Sequence, residues 1–156
     1  MPLEIERKFL INKSIWEKLE KPKGNFMRQG YISTDPNKTI SVRLTDEKAF
    51  LTIKGKSVGA TRAEFEYEIP QTDAKELLDN FAESELSKIR YKINFEGKTW
   101  EVDEFYGENE GLIVAEIELN SEEEEFSKPN WIDQEVTDDA RYFNSNLTKN
   151  PYKNWK

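Results

Sequence analysis

The side chains with the most to offer chemically come in short alternating runs. EIERK carries Glu4, Glu6 and Lys8 at every second position, TRAEFEYEI carries Arg62, Glu64, Glu66 and Glu68, and LSKIRYK carries Lys88, Arg90 and Lys92. WEVDEF adds Glu101 and Asp103, AEIEL adds Glu116 and Glu118, and single cations stand in ISVRLT (Arg43) and FLTIK (Lys54). Along a strand, residues i and i+2 project to the same side, so each run puts its charges on one face and its apolar residues on the other. Blocks of Lys and Arg suit a polyanion. Carboxylates two apart on a strand, roughly 6.5–7 Å from each other, suit a hard cation that keeps some water and takes few protein ligands.

The rest of the composition narrows the chemistry. There is no His and no Cys, which excludes imidazole and thiol catalysis, disulfides and ordinary zinc or copper centres. Any proton must travel through Lys, Tyr, Asp, Glu or water. The formal net charge of -8 argues against a nucleic-acid polymer or an anionic membrane as partner, while leaving room for a local basic pocket. No basic-then-apolar leader opens the sequence and no apolar run approaches the ~20 residues of a membrane span. That predicts a cytoplasmic protein.

The elements that must position these residues are mostly strands. Period-2 patterning predicts eight of them, at 3–11, 26–33, 39–46, 49–55, 61–70, 86–95, 98–105 and 112–119, separated by turn signals such as TDPN and FEGK. Helical periodicity predicts 13–20, 72–83 with Thr72 or Asp73 as N-cap, and 139–148 with Asp138 as N-cap. The class is α+β, with one domain over 1–156. SEEEEF, from Ser121, reads as a solvated helical turn, and the YKNWK tail as the finish of the C-terminus.

Two architectures accommodate such faces. An open sheet with one wet face would pair acidic and basic strands as a surface ladder, each pair contributing roughly 0.2–1 kcal/mol. Alternatively, eight antiparallel strands close into a barrel with ionised faces inward and apolar faces outward beneath helices. About eight strands leave an interior for side chains or one small ligand. So many unpaired charges would exceed a domain's net stability of roughly 5–15 kcal/mol. Such a lumen must be wet, internally paired and suited to an ionic ligand. The grouping of signs by strand favours the barrel.

The same segments carry a resemblance. EIERK resembles the ExExK signature of the CYTH superfamily, the triphosphate tunnel metalloenzymes, and ordered matches continue through QGYIS around Tyr31, SVRL, LTIKG, RAEFEYEI, SKIRY, VDEF, AEIEL and VTDDARYFNSNL with Arg141. The match runs almost end to end and is similar to the small bacterial, tripolyphosphatase-like members. It implies an eight-stranded antiparallel tunnel that binds a triphosphate with Mg2+ or Mn2+, a C-terminal helix closing one mouth. Carried over by position, Lys8, Arg43, Lys54, Lys88, Arg90 and Arg141 hold triphosphate oxygens, and Arg62 joins them through its shared face with Glu64 and Glu66. Glu4, Glu6, Glu116 and Glu118 position metal, with Glu64, Glu66 and Asp103 behind them.

For the attacking water the resemblance offers either Lys88 or a Lys8 and Tyr31 pair. Lys88 is a base only if Arg90, Lys92 or desolvation brings its pKa down from ~10.4; otherwise it clamps phosphate. Thr45 stands where the family often has a second Arg, so that phosphate contact is either missing or supplied by Arg62 or Lys92. The implied reaction is hydrolysis of inorganic tripolyphosphate to pyrophosphate and phosphate. Class IV adenylate cyclase, thiamine triphosphatase and a non-catalytic polyphosphate or nucleotide binder are the alternatives. The partner implied is a small triphosphate, with a homodimer left open.

Overall fold

A computed structural model describes residues 2–155. Met1 and Lys156, the ends of the expected 1–156 domain and the last residue of the YKNWK tail, lie outside the described residues. The strands are β1 (Leu3–Ile11), β2 (Asn25–Ser33), β3 (Thr39–Thr45), β4 (Ala49–Lys54), β5 (Thr61–Ile69), β6 (Ser84–Phe95), β7 (Lys98–Phe105), β8 (Ile113–Glu118) and β9 (Ile132–Glu135); the helices are α1 (Lys13–Lys18), α2 (Gln71–Phe81) and α3 (Asn144–Lys149). The first eight strands form one antiparallel barrel in the order β5-β4-β3-β2-β6-β7-β8-β1, closed by pairing of β1 with β5 from Leu3↔Ala63 to Ile5↔Thr61. No helix among the described residues is long and apolar enough to cross a membrane.

The closing seam is short because β1 divides one edge between two partners. Its first residues pair with β5, and its second half pairs with β9 through Phe9↔Glu135 and Ile11↔Ile132. Strand β9 was not expected. Its IDQE sequence has one apolar residue and no alternation to detect, and it forms because the rest of the β1 edge needs hydrogen bonds.

Ridges of apolar side chains on the outward faces make two cores. One joins Phe9, Trp100, Ile117 and Trp131 with Trp16 of α1, its rings meeting edge to face, as in Trp16–Trp131 at 5.3 Å between centroids. The other seats Ala74 and Leu78 of α2 on Val42 and Ala49. Gly30 permits this approach: a Cβ there would fall 2.6 Å from Leu78 Cδ2 and 3.0 Å from Ala82 Cβ. Gly30→Ala is expected to cost about 1–3 kcal/mol by overpacking, read as a lower Tm in thermal unfolding.

Inward positions change character along the axis. The columns read Leu10, Lys8, Glu6, Glu4 on β1; Leu86, Lys88, Arg90 on β6; Phe105, Asp103, Glu101 on β7; and Val114, Glu116, Glu118 on β8. Their apolar ends join Val136, Tyr142 and Leu147 in a third buried cluster that stops the lumen at the C-terminal end.

Local expectations needed correction at several ends. The first helix is capped by the Asn12 side chain, which accepts from Ile15 N, and stops at Lys18. The N-cap of α2 is Pro70, so Thr72 and Asp73 fall in its first turn, where Asp73 meets the positive end of the helix dipole. The expected 139–148 helix is split: a 3-10 turn over Ala140–Tyr142, capped by Asp139 and not Asp138, is separated from α3 by extended backbone at Phe143. This break lets Phe143 face the lumen, with Lys8 Nζ 5.4 Å from its ring centre. SEEEEF makes a single exposed turn, Glu124 N donating to the Ser121 carbonyl at 3.2 Å, and does not extend into a helix. Glu122 accepts from Ala60 N and Thr61 Oγ1, and Glu124 pairs with Lys98, so these acids fasten loops instead of simply facing solvent.

Candidate functional site

The lumen is a cavity of about 220 Å3 to which all eight barrel strands contribute. From β1 come Glu4, Glu6 and Lys8, from β2 Gln29 and Tyr31, and from β3 Thr39, Ser41 and Arg43. Thr52, Lys54, Arg62, Glu64 and Glu66 line the β4–β5 side, and Lys88, Arg90, Glu101, Glu116 and Glu118 the β6–β8 side. A second chamber of about 590 Å3 shares Arg43, Glu66, Arg90 and Glu101 with it and adds Lys23, Lys48, Lys92 and Phe50.

Register explains how so many charges coexist. Lys92, Glu101, Glu116 and Lys8 are successive partners across β6, β7, β8 and β1, and Arg90 is opposite Asp103. Signs that are blocked along each strand therefore meet their opposites at the Lys92–Glu101 and Glu116–Lys8 pairs, while Glu101 faces Glu116 and Glu6 faces Glu118 as like charges. Arg90 grips Asp103 with two hydrogen bonds of 2.8 and 3.0 Å, and Lys88 Nζ lies 2.9 Å from the same carboxylate. Burial alone would raise the Asp103 pKa, yet Arg90 and Lys88 hold it below the usual carboxylate range. Asp103 does not line the lumen. Placed with the metal-side acids by the resemblance, it sits instead behind two cations.

Lys88 is 1% exposed. Burial, with the charge of Arg90 added, pushes its pKa below that of an ordinary lysine against the opposing pull of Asp103. Lys8 lies 3.4 Å from Glu116, and despite its burial Glu116 is held at about 2 by Lys8 and Arg90.

The carboxylates at the other end are less well compensated. Glu4 is pushed up to about 7 by burial and by its neighbour Glu64, although Lys54 stands 3.1 Å away. Glu6 is raised by burial and by Glu116 and Glu4; Glu118, its direct cross-strand partner, is raised by burial and Glu4. Like charges opposite one another on neighbouring strands repel, so an added cation relieves the arrangement. Among the described residues no group of three or more carboxylates makes a metal site by itself. A hard divalent ion needs only one or two carboxylates when phosphate oxygens and water complete its shell.

The remaining expected residues have distinct placements. Tyr31 is buried with its pKa at about 12, so at neutral pH it is a hydroxyl donor and not a base. Arg62 donates to the Gly55 carbonyl at 3.0 and 2.8 Å, which fixes it beside the mouth formed by Ser57 and Gly59. Arg43 rests on Phe50, 4.9 Å from ring centre, and reaches Glu66 at 3.8 Å. Arg141 is not in the lumen: its side chain is 58% exposed, pairs with Asp139 and covers Trp155, because the 3-10 turn directs it outward. Thr45 bonds the Lys48 carbonyl and lines the outer chamber, where Lys92 is also found.

Sequence reasoning passed over Gln29, Thr39, Ser41 and Thr52, which are uncharged, and Asn144 and Ser145, which arrive with the broken C-terminal helix. The parity of QGYIS was the available signal for Gln29, two residues before Tyr31.

Fold and site together define a closed β-barrel whose lumen is fitted to a small polyanion and a hard cation. The chain belongs to the CYTH family, whose domain matches residues 2–150. It is 54% identical over 157 residues to the inorganic triphosphatase of Acetivibrio thermocellus, spanning 100% of this chain and 99% of that one. It is 34% identical over 153 residues to the inorganic triphosphatase of Nitrosomonas europaea, covering 92% and 95%. The crystal structure of the inorganic triphosphatase NE1496 superposes with a TM-score of 0.63 at 30% identity, covering 93% of this chain and 97% of that chain.

Proposed function

We propose that this protein hydrolyses inorganic triphosphate to pyrophosphate and phosphate with Mg2+ or Mn2+, in the cytoplasm. The observation that carries the reading is the division of charge within one lumen. Lys88 and Arg90 are buried on one side, and Glu4, Glu6 and Glu118, with raised pKa values, wait on the other. A triphosphate complexed to a divalent cation answers both needs, and two relatives covering nearly the whole chain are inorganic triphosphatases.

Phosphoryl transfer asks mainly for positioning and charge neutralisation. Lys8, Arg43, Lys54, Arg62 and Arg90 hold the phosphate oxygens, and Tyr31 donates a neutral hydrogen bond. Water attacks the terminal phosphorus in line, the bridging P–O bond breaks, and pyrophosphate leaves with the electron pair. Lys88, biased toward its neutral form by burial, takes the proton that the water loses. Glu6 and Glu118, with Glu4 and Glu116 beside them, would hold a divalent ion, which would supply neutralisation of phosphoryl charge. Asp103 keeps Lys88 and Arg90 in place.

Phosphate release from inorganic triphosphate, thiamine triphosphate and ATP, each with Mg2+ or Mn2+, tests the reading. Rapid release from inorganic triphosphate that EDTA abolishes, with no cyclic AMP formed from ATP, is the expected result. No release from inorganic triphosphate would overturn it.

A further inference from the structure

Gln29 on β2 and Arg43 on β3 are direct cross-strand partners, and both line the lumen. Gln29 is 8% exposed. Its Nε2 donates to Tyr31 Oη at 3.3 Å, while its Oε1 is buried with no hydrogen-bond partner; Arg43 Nε is buried and unpartnered as well. A buried polar atom left without a partner is destabilising, so an orphan acceptor on one strand and an orphan donor on its cross-strand partner mark where a ligand completes the bonding.

The two atoms ask for different things. Arg43 Nε is a cationic donor that an anionic phosphoryl oxygen satisfies. Gln29 Oε1 is an acceptor, and phosphoryl oxygens are acceptors too, so its partner must bring a hydrogen. A water molecule held beside the triphosphate brings one. Register also places the amide beside Lys88, since Met27 pairs with Lys88 and Gln29 with Leu86. Gln29 and Lys88 are thus diagonal inward neighbours, about 7–8 Å apart at the backbone and within reach of long side chains.

We propose that Gln29 Oε1 orients the attacking water, accepting one of its hydrogens while Lys88 Nζ takes the other as the proton lost, with Arg43 Nε on a terminal phosphoryl oxygen. The new bond joins the water oxygen to phosphorus, and the broken one frees pyrophosphate. This role rests on the triphosphatase reading above. It assigns Gln29 to the transition state more than to ground-state binding.

The test is steady-state kinetics of Gln29→Met, which keeps the length and removes both polar ends. A fall in kcat of about 100-fold is expected, with KM within about threefold of wild type. The Tm rise given by an imido analogue of triphosphate with Mg2+ should be retained. If Gln29→Met does not fold, Gln29→Asn, which withdraws the amide by one methylene, carries the same expectation. An unchanged kcat, or a loss confined to KM, in an assay where wild type is active overturns the role of Gln29 alone. Wild type that releases no phosphate overturns the triphosphatase reading beneath it.

Discussion

Lys88→Met is expected to lower kcat on inorganic triphosphate by about 10²–10⁴-fold, the range contributed by a positioned general base, with a much smaller effect on KM. Methionine fills a similar volume, and Asp103 keeps both hydrogen bonds from Arg90, so the wall should hold its shape. The pH profile separates a base from a clamp. A lysine whose pKa is lowered accepts a proton only from its neutral form, so wild-type kcat should climb with pH through the Lys88 pKa and then level. Lys88→Met should lose that acidic limb. Had Lys88 merely held phosphate, the loss would fall on KM and the limb would persist, which sinks the base assignment.

Much of this site was legible because strand parity is a strict rule. Glu4, Glu6 and Lys8, or Lys88 and Arg90, cannot face different ways on one regular strand, and closure into a barrel then turns all of them inward. What parity omits is register. Nothing within SKIRYK or WEVDEF says that Lys92 meets Glu101 and Arg90 meets Asp103, and that pairing is what withdraws Asp103 from the lumen. Arg141 was misplaced for another reason. A helical run of 139–148 looks continuous by periodicity, but Phe143 breaks it to occupy the lumen, and the preceding turn carries Arg141 outside. Gln29 escaped notice because a neutral amide among ionised residues gives no charge pattern.

Glu6→Gln and Glu116→Gln, two isosteric changes in one lumen, should move stability in opposite directions. Glu4 and Glu6 have folded-state pKa values above the ordinary carboxylate value, about 7 for Glu4. Between the ordinary value and the raised one the folded chain binds more protons than the unfolded chain, so stability without ligand falls as pH rises through that window. Glutamine at position 6 removes one uncompensated charge and relieves Glu4, so Tm should rise, by more at pH 8 than at pH 5. Glu116 is the reverse case. Its pKa of about 2 means that its ionised form is stabilised by Lys8 and Arg90, a contribution present above the ordinary value and lost as pH falls toward 2. Glu116→Gln should lower Tm at neutral pH. Activity should fall at least about 100-fold in Glu6→Gln despite the gain in stability, because in the site proposed above the destabilised carboxylate would receive the cation, the trade expected of a preorganised site. Thermal unfolding across pH, with and without Mg2+ and the imido analogue, checks both signs. The ligand-induced rise should shrink in Glu6→Gln relative to wild type, and a Glu6→Gln protein that melts lower at pH 8 while binding ligand normally would remove Glu6 from the cation site.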